Sequence, residues 1–210
     1  MTDALTYAIV GDGPTDQVLS FFVDEALARR GIPAQYIPVD LRLFRRTRTL
    51  SSRISATVEL ARPQLLFVTR DTESQTREER FAEIASAVRE ALPTGAPPVV
   101  PVVFVRMLEA WLLCDERAIR AAAGYPQGAT PLRLPTPKNV EGLASPKDVL
   151  RAALLSAAPQ KRSRRRQKIV GTGSTYDVAA NVGDFRALQK LSAYQHFECD
   201  LDAALANGHL

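Results

Sequence analysis

Leu65-Leu66-Phe67-Val68-Thr69 runs directly into Arg70-Asp71-Thr72-Glu73. A short uncharged run entered through a turn at Pro63 reads as a strand, and an apolar strand of this length suits burial on both faces of a parallel sheet. A second stretch has the same form: Tyr7-Ala8-Ile9-Val10-Gly11 leads into Asp12-Gly13-Pro14-Thr15-Asp16. If both runs are parallel strands, Asp12, Asp71 and Glu73 emerge along one edge of a sheet. Carboxylates converging there repel one another unless a cation or a bound proton compensates. A divalent-metal site is therefore the first expectation.

The pattern around these two runs supports that geometry. Val18, Leu19, Phe22, Val23, Ala26 and Leu27 recur at helical spacing after Thr15, and Gly31 stops them. Gln35 to Leu41 reads as a second strand, and Ser51 to Ala61 as a helix with Ile54, Val58 and Ala61 on one face. Beyond the strand Leu65 to Thr69, a helix is predicted over Arg77 to Leu92 and a strand over Val99 to Val105. Pro101 places that last strand near a sheet edge. The spacing then predicts one helix from Leu108 to Ala123, ended by Gly124. Strand and helix thus alternate, which predicts an α/β fold: a mostly parallel, four-stranded, Rossmann-like sheet flanked by helices and joined by right-handed crossovers. Ligands of such sheets bind beyond the carboxyl ends of the strands, where Asp12 and Asp71 fall.

The domain reading follows from composition. Residues 1–124 form the α/β core, the proline-rich stretch 125–137 a connector, and 138–210 a helical extension packed on the core. That extension opens with an amphipathic helix from Pro146 to Ala158 and carries a basic loop at 161–168. The formal net charge of +4 is concentrated there, because Lys161, Arg162, Arg164, Arg165, Arg166 and Lys168 have no acid among them. Arg42, Arg45, Arg46, Arg48 and Arg53 make a second acid-free run. Two basic segments on a mildly acidic body suit a polyanionic partner, although either run alone also reads as a solvated basic loop.

Several classes are excluded or disfavoured. No apolar stretch approaches the roughly 20 residues that span a bilayer, and Met1-Thr2-Asp3-Ala4 lacks the pattern of an export signal. The expected location is the cytoplasm, with no membrane partner. Cys114 and Cys199 show neither a disulfide framework nor a zinc spacing, so both are expected as free thiols. Gly11 and Gly13 match two glycines of a dinucleotide fingerprint, but Asp16 stands in the third place, and the Lys-Ser/Thr of a phosphate-binding P-loop is missing. Glu73 stands where a phosphatase with an Asp nucleophile would carry a second Asp.

The site residues carry competing readings. Asp71 and Glu73, two apart in an extended segment, would share a side and bind one hard cation through oxygen, with Asp12 completing the set. Asp12 also suits a plain turn before Gly13, and Asp71 a helix cap. Asp16 is a candidate for the catalytic group or a cap of the first helix. Glu109 begins the fourth helix near the same edge, as a further catalytic candidate or a helix N-terminal charge. Arg70 suits a phosphate contact or a pair with the neighbouring acids. Trp111 reads as core packing.

The glycine-rich acidic turn after the first strand, the acidic pair after the third, and Met107-Leu108-Glu109-Ala110-Trp111-Leu112-Leu113-Cys114-Asp115 after the fourth resemble the Toprim superfamily. Together with Ser145-Pro146-Lys147-Asp148-Val149-Leu150 and the closing Phe185 to Leu205 stretch, they are similar to a bacterial Toprim-like domain-of-unknown-function family, number 4276. The resemblance implies a Toprim-like fold and metal-dependent phosphodiester chemistry on DNA or RNA. It implies Mg2+ (or Mn2+) held by Asp12, Asp71 and Glu73, with Asp12 where the superfamily has a Glu that acts as general acid or base. It also implies an ATPase partner of the kind that accompanies Toprim nucleases in phage defence. Asp12 is one methylene shorter than that Glu, and Glu73 replaces an Asp; both are departures. Arg70, Arg45, Arg46, Arg162, Arg164, Arg165, Arg166 and Lys168 are the expected nucleic-acid contacts, and self-association into a homo-oligomer is compatible with all of this. Two other readings stay open: a subunit with little activity apart from its partner, and a small-molecule phosphohydrolase that needs no basic segment.

Overall fold

The computed structural model describes residues 4–11, 13, 17–40, 49–92, 96–158 and 173–207. By contact the chain divides into two compact units, one of residues 1–104 with 196–210, the other of residues 105–195.

The first unit holds the sheet. Its strands are β1 (Leu5–Val10), β2 (Ala34–Tyr36), β3 (Leu65–Asp71) and β4 (Val99–Phe104), in the order β2-β1-β3-β4. All three pairings are parallel, with Val10 opposite Val68 and Asp71 opposite Phe104. The α/β, Rossmann-like sheet expected from the alternation is present. Leu65 through Arg70 are all buried, as an interior parallel strand requires. β4 lies at an edge, where Pro101, lacking an N–H, is tolerated opposite Val68. β2 is shorter than the expected Gln35–Leu41. Ile37 still donates to the Tyr7 carbonyl at 2.8 Å, one residue past the end of β2.

Helices α1 (Leu19–Arg29), α2 (Leu50–Ala61) and α3 (Arg77–Ala91) fill the crossovers. Alternation along the strands sorts the two faces. Ala8, Val10, Leu66 and Val68 pack with Leu50 and Ile54 of α2 and Ile84 and Ala87 of α3. Tyr7 and Phe67 look the other way: the Tyr7 hydroxyl donates to Asp24 of α1 at 2.6 Å, and the rings of Tyr7 and Phe67 meet edge-on at 5.5 Å. Each such fully buried large side chain stabilises the fold by about 1.5–3 kcal/mol relative to exposure. Both α2 and α3 start with a capping box, Thr49 with Ser52 and Thr76 with Glu79, in which side chain and backbone satisfy each other's orphan groups.

The second unit holds α4 (Glu109–Leu112), α5 (Glu116–Ala122), α6 (Pro137–Val140), α7 (Pro146–Ala157), α8 (Gly173–Ala179) and a 3-10 turn at Phe185–Lys190. The single helix expected over Leu108–Ala123 is broken in two. Asp115 has an extended backbone and accepts the N–H groups of Arg117 and Ala118, which starts a new helix there. Both α4 and α5 lie in the second unit, although the sequence pattern groups them with the α/β core. Trp111 is buried and meets Tyr194 edge-on at 5.0 Å, as core packing.

Helix α9 (Ser192–Asn207) begins in the second unit and belongs to the first from His196 onward. There Phe197 packs on Phe67 at 6.3 Å. Arg29, the last residue of α1, and Arg30 after it pair with Glu198 and Asp202, and Arg77 of α3 pairs with Asp200. Cys114 and Cys199 are free thiols. Among the described residues, no helix is long and apolar enough to cross a membrane.

Candidate functional site

The strand order contains one reversal. From β1 the chain moves outward to β2 and then returns past β1 to β3, so the topological switch point lies between β1 and β3. Crevices at such points, beyond the carboxyl ends of the strands, are where open α/β sheets bind ligands. The register carries Val10 alongside Val68, so Gly11 and the end of β3 leave the sheet at the same edge.

Asp71, Glu73 and Arg70 can be placed against this edge. Asp71 is the last residue of β3 and is half-buried. Thr72 continues the ladder by donating to the Phe104 carbonyl at 2.9 Å. Glu73 then takes a left-handed backbone, φ 49°, and Gln75 donates to the Thr72 carbonyl at 2.7 Å. The segment is therefore a turn at Glu73 and not extended. The two-residue alternation that would put Asp71 and Glu73 on one side does not apply to it, which corrects the expectation drawn from spacing. The Glu73 side chain is 64% exposed and lies 3.5 Å from the Arg80 guanidinium.

Arg70 is buried and paired. Its side chain is only 7% exposed, and its Nε donates to Glu83 of α3 at 2.9 Å. Of the two readings of Arg70, pairing with an acid is the one present; a phosphate contact would require it to leave that buried pair. Glu109 opens α4 in the second unit and is buried at the start of that four-residue helix. Asp12, Asp16, Arg45, Arg46, Arg162, Arg164, Arg165, Arg166 and Lys168 lie outside the described residues. Arg53, from the first turn of α2, donates to the Gly11 carbonyl at 3.0 Å and so brings a cation to the carboxyl end of β1.

The electrostatics of the edge centre on α3. The carboxylate of Glu83 meets Arg80 Nη1 at 2.7 Å and Arg70 Nε at 2.9 Å. Partial burial raises the pKa of Glu83, but the hydrogen bonds from Arg80 and Arg70 outweigh it and hold the carboxyl below the usual range. Arg80 also donates through Nε to the Asp71 carbonyl at 2.9 Å. Neither Arg80 nor Glu83 stands out in the sequence reading. The one usable signal was Thr76-Arg77-Glu78-Glu79, the capping-box pattern that fixes where α3 begins and hence which α3 residues face the turn.

Asp71 and Glu73 offer the hard carboxylate oxygens that suit Mg2+ or Mn2+. Asp71, on rigid strand backbone at the switch point, fits such a cation; Glu73, whose Oε2 lies 3.5 Å from Arg80, would share its carboxylate between that guanidinium and the cation. Among the described residues, no group of three or more His, Cys, Asp or Glu is arranged to hold a metal ion, and the set expected from the sequence includes Asp12, outside those residues.

No curated protein and no solved structure matches this chain. A family model does, over residues 13–202, and the chain accordingly belongs to the family described as "Domain of unknown function (DUF4276)".

Proposed function

We propose that this protein is a Toprim-type, Mg2+- or Mn2+-dependent nuclease that cleaves phosphodiester bonds of DNA or RNA at the carboxyl edge of β1 and β3. The observation that carries the reading is the coincidence of the β1–β3 switch point with the end of the strand that delivers Asp71. Asp71 and Glu73, with Asp12, which follows β1 in the sequence, would hold the cation. The cation, when bound, supplies positive charge to the attacking and leaving oxygens. Asp12 is the first candidate for the proton transfer, with Asp16 as a further candidate. The basic segment 161–168, with Arg45 and Arg46, tracks the phosphate backbone and carries no sequence information. In this reading the protein acts in the cytoplasm, as the effector of an ATPase-linked phage-defence system, and self-associates into a homo-oligomer.

The test is cleavage of labelled DNA and RNA by the purified chain with MgCl2 or MnCl2. Replacing Asp71 and Glu73 together by Ala should reduce cleavage to background; activity that survives sinks the assignment.

A second reading is favoured by one observation: Glu73 is turned out of line with Asp71 and paired with Arg80. On that reading the chain is a partner-dependent subunit whose acidic turn becomes competent only when an ATPase docks. Absence of both cleavage and Mn2+ binding by the chain alone, with both restored by the partner, would select it.

A further inference from the structure

Arg80 uses all three guanidinium nitrogens around the acidic turn. Nε donates to the Asp71 carbonyl at 2.9 Å, Nη1 to Glu83 at 2.7 Å, and Nη2 lies 3.5 Å from the Glu73 carboxylate. The guanidinium thus bonds on both sides of Thr72, to the main chain before it and to the side chain after it. Between those anchors the backbone enters the left-handed region at Glu73, which L residues other than Asn or Asp seldom adopt.

Arg80 is itself held. It is 18% exposed, its own N–H donates to the Thr76 carbonyl at 3.2 Å, and its partner Glu83 is fixed from the strand by the buried Arg70. The chain of contacts Arg70, Glu83, Arg80, Glu73 runs from inside the sheet, over the first turns of α3, to the exposed acid. Only a planar guanidinium reaches three acceptors in this way, since a lysine ammonium is a single point.

We propose that Arg80 is a positioning residue: it locks the Asp71–Glu73 turn and sets where the two carboxylates stand. Resting on the function proposed above, this assigns Arg80 the role of an outer partner that orients cation ligands without touching the cation. Such partners commonly govern affinity by about 10–100-fold.

The experiment uses the full chain and MnCl2 as probe, titrated calorimetrically into wild type, Arg80→Gln, Arg80→Lys, Asp71→Ala and Ile84→Val. Ile84 is buried in α3 and touches the sheet, so Ile84→Val loosens the packing of the helix without altering the turn. Hydrogen exchange at the amides of Thr72, bonded to Phe104 where the ladder meets the turn, and Gln75, bonded within the turn, is followed in parallel. Arg80→Gln should weaken Mn2+ binding about tenfold or more and remove protection at Thr72 and Gln75, with Arg80→Lys intermediate and Ile84→Val at wild-type affinity. Asp71-dependent binding that Arg80→Gln leaves intact, or an equal loss in Ile84→Val, overturns the role of Arg80 alone. Wild-type binding that is absent or indifferent to Asp71→Ala fails the reading of the site, and this inference with it.

Discussion

Asp115 binds the backbone of Gly183 across 68 residues of sequence, at 3.1 Å from Oδ2 to N. The same carboxylate accepts Asp184 N–H through Oδ2, and the Arg117 and Ala118 N–H groups through Oδ1. One buried acid therefore starts α5 and ties down the loop before the 3-10 turn. Asp115→Ala strands four donors at once. With each buried unsatisfied group costing about 1–3 kcal/mol and water reaching some of them, a net loss of about 2–4 kcal/mol is expected. Denaturant titration measures it; a loss under about 0.5 kcal/mol, the scatter of ordinary surface changes, would mean the loop is held by something else.

Glu83 makes the acid limb of stability sensitive to a single substitution. Its folded pKa lies below the ordinary value of 4.5 because Arg80 and Arg70 outweigh its partial burial. The stability it contributes is thus fully present above about pH 4.5 and is lost as pH falls through the lowered folded value. Glu83→Gln should be less stable at pH 7 and should flatten that limb. Asp200 acts with the opposite sign: burial raises its pKa against the pull of Arg77, so its contribution is present below 3.8 and fades as pH rises. Melting temperatures between pH 2.5 and 7 for Glu83→Gln and Asp200→Asn should diverge from wild type in opposite senses.

The two thiols should separate cleanly in a reagent titration. Burial, with the charges of Glu141 and Asp115 adding to it, pushes the Cys114 thiol up to about 12, whereas Cys199 is exposed. At pH 8 the thiolate fraction of Cys114 is lower than that of a free cysteine by about three orders of magnitude. One equivalent should react promptly in the native protein and the second only in denaturant. Two prompt equivalents would contradict the burial that raises the Cys114 thiol.

The basic segment is open to a charge-removal test. Converting Lys161, Arg162, Arg164, Arg165, Arg166 and Lys168 to Gln should weaken nucleic-acid binding and shrink its salt dependence, by about 0.7–0.9 in log–log slope for each phosphate that is no longer neutralised. Filter binding between 50 and 200 mM salt reads this directly. An unchanged slope, with unchanged turnover of small phosphate esters, would point to a phosphohydrolase that does not use the segment.

What could be read from the sequence is what hydrophobic pattern controls. The apolar runs at Tyr7–Val10 and Leu65–Thr69 become adjacent strands, and Pro101 marks an edge as its missing donor demands. Pattern fails where a polar group is satisfied by a distant partner. Arg70 and Asp71 extend β3 past its apolar run because Glu83 neutralises the one and β4 pairs with the other, neither of which periodicity reports. Asp115 splits an apparently continuous helix by capping Arg117 and Ala118 locally, and its carboxylate is held there by the distant Gly183 N–H, which periodicity does not report. At the site, the position of Asp71 followed from the strand, but the turn at Glu73 followed from Arg80, nine residues beyond the end of β3, and spacing alone mistook it for extended chain.

The contact of Phe67 with Phe197 has a consequence for how the protein comes to exist. The face of β3 that carries Phe67 cannot be covered by its local crossovers alone; it waits for residues 196 onward, supplied after the whole second unit has been made. Closing so long a loop costs entropy before any contact repays it, which favours slow completion of the fold. During synthesis the nascent sheet therefore carries an uncovered aromatic surface, and a ribosome stalled before His196 would release a chain prone to clump, whatever the condition of its acidic edge.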